Sequence, residues 1–399
     1  MQRHEPEEKT MIFLTSQAVT LFGSTLVQMA IVWYVTLNTG EGAWIAAFTV
    51  ASYLPQFLIS FLGGVWADRY NKKALIIGAD AGIAVITLAM WLCLPYLGDE
   101  HLMLPLLLVM SALRSVGAGI QTPAVNAVLP QLVAQEDLMR YNGINATMQS
   151  VVQFAAPAAA GALLSFSTLR SVLLIDVLTA GVGIGIFSFV AVPGQSPSEK
   201  ASAFADMKLG TRYVLSDKLL RTLLVTYGLF IFFSVPAGFL AQLFVSRTFG
   251  ETYWYLTAVE VVGFLGMMTG GIVMSTWGGF RKRSKTLISG LAVFGLIGAA
   301  MAVSGHFILY LVLMFLYGIP LTMIQTAVTT MIQENAEESM QGRVFGLLGT
   351  MYSGFLPVGM AVFGPLADVI PLPWVMIGSG VVLVLLATCL LMKKKVLFD

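Results

Sequence analysis

Twelve long apolar runs constrain this chain of 399 residues more than any other feature. They fall at about 11–37, 43–67, 74–97, 102–129, 141–166, 170–192, 218–245, 253–277, 285–304, 307–332, 342–367 and 372–392. Polar or turn segments separate them, such as NTGEG at 38–42, DRYNKK at 68–73 and GGFRKR at 278–283. A helix needs roughly 20 apolar residues to cross the hydrocarbon core of a bilayer. No water is available there, so the backbone must bond to itself, and only helices and closed barrels can span. Barrel strands are short and alternate in polarity. These runs are long and continuously apolar, so the pattern predicts twelve transmembrane helices in an all-α polytopic membrane protein.

Composition agrees. Hydrophobic residues make up 57% of the chain and charged residues 11%, against about 25% charged in soluble domains. A net charge of +1 argues against a nucleic-acid partner, which would need a basic surface. The N-terminal MQRHEPEEKT is polar and has no cleavage pattern, so the first run reads as a span and not as a signal peptide. Cys93 and Cys389 both lie in apolar runs, where free cysteine behaves as a small hydrophobe. The chain has no HExxH, no Walker loop and no cluster of metal-ligating residues. Gly181-Val-Gly-Ile-Gly185 lies inside a run with no strand before it, so helix packing explains it better than phosphate binding. No enzyme, metal site or cofactor is expected.

Lysine and arginine set the orientation. With the N-terminus inside, 19 of the 22 fall in inner segments; Arg170 and Arg247 lie in outer loops and Arg114 lies within a run. This positive-inside bias predicts cytoplasmic termini and an even number of spans. The longest connection divides the spans six and six. The expected organisation is a bundle over 1–192, a cytoplasmic linker with a short amphipathic helix on the inner membrane surface over 193–217, and a second bundle over 218–399.

A short pattern recurs at four run ends: Gly64-Val-Trp-Ala-Asp68, Gly161-Ala-Leu-Leu-Ser165, Gly271-Ile-Val-Met-Ser275 and Gly364-Pro-Leu-Ala-Asp368. The glycines are 97, 110 and 93 positions apart, about the length of three helices. Under the topology above, the copies end alternately inside and outside. The pattern therefore describes inverted three-helix repeats, as alternating-access transporters are built.

These residues carry a resemblance. Gly64-Val-Trp-Ala-Asp68-Arg69-Tyr70-Asn71-Lys72-Lys73 resembles the signature loop of the major facilitator superfamily, with Asn71 where the family has glycine. Asn tolerates left-handed backbone better than most residues, which would keep the turn. Arg114-Ser-Val-Gly117-Ala-Gly119 is similar to the family pattern in the fourth helix. Ala156-Pro157-Ala158-Ala159-Ala160-Gly161 resembles the exporter motif of the fifth, with alanine in two glycine places. Ile77-Gly-Ala-Asp80, Thr122-Pro-Ala-Val-Asn126 and Gly342-Arg343-Val-Phe look like the macrolide-efflux branch of bacteria. The resemblance implies a monomeric secondary transporter in the bacterial cytoplasmic membrane, with a small-molecule substrate and protons as coupling ion. It implies gating by Gly64, Asp68, Arg69, Lys72 and Lys73, with the Asp68 carboxylate against the helix that begins near Gly342 and Arg343. It also implies a substrate cavity between the first, fourth, seventh and tenth helices. Their polar and aromatic residues at mid-depth are Gln28, Arg114, Tyr227, Phe230, Tyr317 and Gln325, with Asn145 and Gln149 from the fifth. Each of these also has a plainer reading as a helix-to-helix contact.

Ionisable groups inside a membrane are costly and mark function by default. Glu260 is the foremost candidate for proton coupling; the other reading is a structural carboxylate paired with a neighbouring helix. Asp176 reads as a shallow, partly solvated group near the outer end of its run. Asp176 and Asp80 are the further coupling candidates, and the resemblance implies that Asp80 belongs to the inner charge network around Asp68, Arg69 and Lys73. Arg114 cannot lose its proton and must be paired or hydrated; a substrate contact and a structural role are both open. The function expected is proton-coupled efflux of small hydrophobic or amphipathic compounds, macrolide-type drugs included. The alternatives are a siderophore or metabolite exporter of the same fold and a membrane binding protein or sensor without turnover. In a chain lacking Cys93 and Cys389, a cysteine at Ser196 should resist membrane-impermeant thiol reagents in intact cells, while one at Ser304 is labelled. Labelling of position 196 from outside would reverse the orientation.

Overall fold

The computed structural model describes residues 4–97, 100–133, 137–192 and 203–392. Its helices are α1 (His4–Thr39), α2 (Gly42–Arg69), α3 (Lys72–Cys93), α4 (Glu100–Leu132), α5 (Leu138–Phe166), α6 (Leu169–Ser188), α7 (Ala203–Ser216), α8 (Lys218–Gly238), α9 (Ala241–Thr248), α10 (Tyr253–Trp277), α11 (Arg283–Ala302), α12 (Phe307–Asn335), α13 (Glu338–Val369) and α14 (Leu372–Met392). No strand occurs among the described residues. Twelve segments are long and apolar enough to cross a membrane, and they coincide with the twelve runs.

Local chemistry sets the helix ends. The Asn71 side chain accepts from Ala74 N at 3.1 Å, and Asp217 accepts from Leu220 N at 2.8 Å; both are N-caps. Gly278 ends α10 in the left-handed region, with φ +73°, where a side chain would be strained. Asn71 itself is extended, with φ −62°. The left-handed turn expected of it is not formed. Its side chain serves the backbone of α3 instead.

The seventh run is not one straight helix. Pro236 lies within α8, and Leu240 N reaches back five residues to Val235 O at 3.0 Å. This wide turn starts the short helix α9, whose residues 241–246 are all buried. The break is what turns Gln242 toward the neighbouring helix α10.

The chain divides into two compact units. One holds residues 1–35 and 48–200, the other 36–47 and 201–399. In the second unit α10 and α12 approach closely because glycines line the contact. A Cβ added at Gly270 would stand 2.9 Å from the Ile319 carbonyl, and one at Gly318 would stand 2.5 Å from Met267 N. Small residues at such seams let backbones touch where no hydrophobic force drives helices together.

The expected place of the linker helix α7 is the membrane surface, and the structure docks it on protein. Its Tyr213 hydroxyl accepts from Glu337 N at 3.0 Å at the start of α13. A Cβ at Gly210 would lie 2.9 Å from Cβ of Arg343. Ser196, the inner labelling position, lies outside the described residues. Ser304 is buried, at 4% exposure, so the outer labelling position moves to the neighbouring exposed Gly305. A cysteine at Gly305 is expected to react from outside.

Candidate functional site

Arg114 sits in the middle of α4, and the structure shows how its charge is met. Its Nη1 contacts Asp176 Oδ2 on α6 and Thr87 Oγ1 on α3. Thr87 also donates to Asp176 Oδ2 at 3.1 Å. The two charged side chains are 10% and 2% exposed. The expectation that Asp176 is shallow and solvated does not hold. It lies seven residues beyond the start of α6, and three helices close over it. An arginine that cannot deprotonate needs such a counter-charge in a medium of low dielectric constant.

Beside Arg114 lies a cavity of about 90 Å³ lined by Ser24, Gln28, Gln56, Ser111 and Ser115 among others. It joins two residues expected at a substrate cavity, Gln28 and Arg114. Its wall includes α2 at Ser52 and Gln56. Pro55, which has no N–H to donate, lies in that turn of the helix, and Ser115 of α4 bonds the backbone there. The Ser115 hydroxyl donates to Ser52 O at 2.7 Å and accepts from Gln56 N at 2.9 Å.

Asp80 on α3 is buried, at 6% exposure, and accepts from Gln121 Nε2 at 3.1 Å. The same amide nitrogen lies 3.4 Å from Gln17 Oε1. Asp80 thus belongs to an amide cluster between α1, α3 and α4. Lys73 Nζ donates to Ser188 O at 2.7 Å, Lys72 is buried and Arg69 exposed. The Asp68 side chain lies outside the described residues. Gly64 and Gly342 have open space where a Cβ would be. Asn145 is half-buried and Gln149 exposed on α5, where Pro157 and Gly161 are buried. Gln325 is exposed on α12.

In the second unit Glu260 of α10 accepts from Gln242 Nε2 of α9 at 2.6 Å. Its partner is a neutral amide, not a cation. Tyr227, Phe230 and Tyr317 form an aromatic chain through Phe294, with centroids at 6.2, 4.9 and 4.0 Å. Phe230 is fully buried and Tyr317 is 3% exposed, so both lie inside this unit's helix packing.

Sequence reasoning missed one constellation. Asp368, at the end of α13, accepts from Gly42 N through Oδ1 at 2.7 Å and from Ala43 N through Oδ2 at 2.8 Å. A carboxylate at a helix N-terminus satisfies open N–H groups and the helix dipole together. Arg247 of α9 donates to Asp368 Oδ1 at 2.6 Å, to Ala367 O at 2.7 Å and to Gly40 O at 2.6 Å. A Cβ at Gly364 would stand 2.6 Å from the Gly42 carbonyl. The signal was available: Gly364 and Asp368 are the fourth copy of the repeat that begins with Gly64 and Asp68.

Twelve spans, two units and buried carboxyls describe a transporter of a known kind. The model of the Major Facilitator Superfamily matches residues 13–360. The chain belongs to the major facilitator superfamily. Its fold agrees with that of a point mutant of the nucleoside transporter NupG at TM-score 0.73 and 13% identity, covering 98% of this chain and 99% of the other. A bacterial homolog of the human lysosomal transporter Spinster gives 0.72 at 14% identity, covering 99% and 98%. Among curated superfamily proteins, macrolide efflux protein A of Streptococcus pyogenes is 29% identical over 379 residues, covering 93% of this chain and 92% of that protein. The multidrug efflux pump Tap of Mycolicibacterium fortuitum is 23% identical over 360 residues, covering 87% and 86%. The superfamily member described here is therefore a multi-pass membrane transporter and not an enzyme.

The buried pair yields a stability prediction. Removing one partner of such a pair costs about 3–5 kcal/mol, whereas replacing both by apolar groups is often neutral or better. Asp176→Leu should therefore lower the melting temperature of purified protein in detergent strongly. Adding Arg114→Met to it should recover most of the loss. A double variant as unstable as the sum of the two single variants would deny the pairing.

Proposed function

We propose that the chain is a proton-coupled exporter of small hydrophobic or amphipathic compounds, macrolide-type antibiotics among them. In this reading it is a monomer in the bacterial cytoplasmic membrane with both termini inside, built as bundles over 1–192 and 218–399 joined by the 193–217 linker. The efflux relatives support the direction and the substrate class. The amide-partnered Glu260 carries the coupling. A coupling group must be stable with its proton and without it. Asp176 is tied to a permanent cation and would leave that cation unpaired on protonation. Glu260 and Asp80 have amide partners, which serve a charged and a neutral carboxyl alike.

Neutralising Glu260 would fix it in one charge state and separate binding from the gradient. Glu260→Gln in proteoliposomes should bind a macrolide and exchange it down its gradient. Its uphill export driven by a pH gradient should fall at least tenfold. Uphill export at the unmutated rate would move coupling to Asp80 or end the proton reading.

For gating, the Asp368 cap supports a matching proposal at the outer side. Holding the first turn of α2 stabilises one state of the cycle, and its release accompanies the other, in parallel with the role proposed for Asp68 at the inner side. Combining Arg247→Gln with Asp368→Asn should raise thiol labelling of a cysteine at Glu41 severalfold and slow turnover. Unchanged labelling would remove the cap from the gate.

A further inference from the structure

The helices packed beside Glu260, α9 and α12, carry buried polar atoms that lack partners. Among the described residues the Gln242 Oε1, Tyr310 hydroxyl and Tyr317 hydroxyl atoms are buried without a hydrogen bond. Gln242 is 7% exposed, Tyr310 0% and Tyr317 3%. Buried polar atoms are nearly always satisfied, and an exception calls for a reason. Helix register brings Tyr310 to Glu260. A Cβ at Gly263 of α10 would lie 2.8 Å from Met314 Cε of α12, and Gly270 meets Ile319 further along, so the two helices run parallel in fixed register. Glu260 is one turn before Gly263 and Tyr310 one turn before Met314. Tyr310 is also stacked on Phe244 of α9, with centroids 5.3 Å apart.

We propose that Gln242 is the positioning residue of the coupling carboxyl, and that its side-chain amide turns over each time Glu260 gains or loses a proton. The inference rests on the reading of Glu260 as the coupling group. With Glu260 ionised, the carboxylate accepts only, so the amide must face it with N–H. That is the arrangement seen, and it leaves Gln242 Oε1 orphaned. With Glu260 protonated, the carboxyl keeps an acceptor oxygen and gains an O–H, for which the facing N–H offers no acceptor. Half a turn about the last side-chain bond of Gln242, a broad and roughly two-fold torsion, brings Oε1 to that proton. The orphaned oxygen then gains its partner. The Tyr310 hydroxyl, unbonded in this arrangement and able to donate or accept, can serve either form of the carboxyl.

Among the described residues no cation pairs with Glu260. The titratable group facing it from α12 is Tyr310, and from α9 the facing polar group is Gln242. The charged residue of α9, Arg247, is committed to Asp368 and Gly40. The proton itself comes from water on one side of the membrane and leaves to water on the other; Gln242 transfers none.

Infrared difference spectra between low and high pH, taken on the full chain in lipid, read both groups. The unmutated protein should show a protonated carboxyl band together with a glutamine side-chain amide band shifted by the change of partner. Both should vanish in Glu260→Gln. Gln242→Leu should keep the carboxyl band, lose the amide band and lower uphill macrolide export at least tenfold, with ligand binding changed less than twofold. A carboxyl band that survives Glu260→Gln refutes the coupling reading. A carboxyl band assigned to Glu260 with no accompanying amide band refutes the role of Gln242 and leaves the coupling reading standing. The comparison of unmutated protein with Glu260→Gln decides the matter even if Gln242→Leu does not fold.

Discussion

A guanidinium in the middle of a membrane helix is the constraint around which the first unit is arranged. Arg114 keeps its charge at any physiological pH, and hydrocarbon offers nothing to solvate it. Asp176 and Thr87 meet it from two other helices, so α3, α4 and α6 are locked at one level. The polar cavity beside the pair follows from the same need, since a charge this deep is best flanked by groups that can hold water. In the second unit the half-buried carboxyl Glu260 is matched with an amide and not with a permanent cation. The first unit thus holds both kinds of partnership, an ion pair at Asp176 and an amide at Asp80, and the second repeats the amide kind at Glu260.

Much of this was written in the sequence, because the membrane forces a simple grammar. Twelve apolar runs had to be twelve helices, since a closed barrel, the other way to cross, needs short strands of alternating polarity. That Arg114 needs a partner was also legible from its chemistry. Which partner it takes was not. Asp176 is 62 positions away, and its depth depends on α3 and α4 closing over it rather than on its place in its own run. The same limit hid Gln242, a neutral amide near the end of a run. It became a partner only because the wide turn after Pro236 redirects the chain. Asn71 shows the converse. Its place in a tight connection is legible, but capping chemistry, not left-handed backbone, is what it contributes there.

The repeat has a physical meaning of its own. Four copies share a glycine followed four residues later by a small or acidic residue, yet an added Cβ would meet open space at Gly64 and Gly271 and a backbone at Gly364. The motif therefore does not encode one permanent contact. It encodes a site able to accept a close helix end, and Gly364 with Asp368 is a copy that holds one, the first turn of α2.

The Ser115 hydroxyl has a mechanical consequence. By standing between Ser52 O and Gln56 N, it makes α4 a splint along the turn of α2 that contains Pro55. A splint transmits load. Any bending of α2 at this point must either stretch these two bonds or drag the backbone of α4 with it. The residue next to the splint is Arg114. Flexure of one helix is thereby geared to the anchorage of the deepest charge in the unit, with no ligand needed as intermediary.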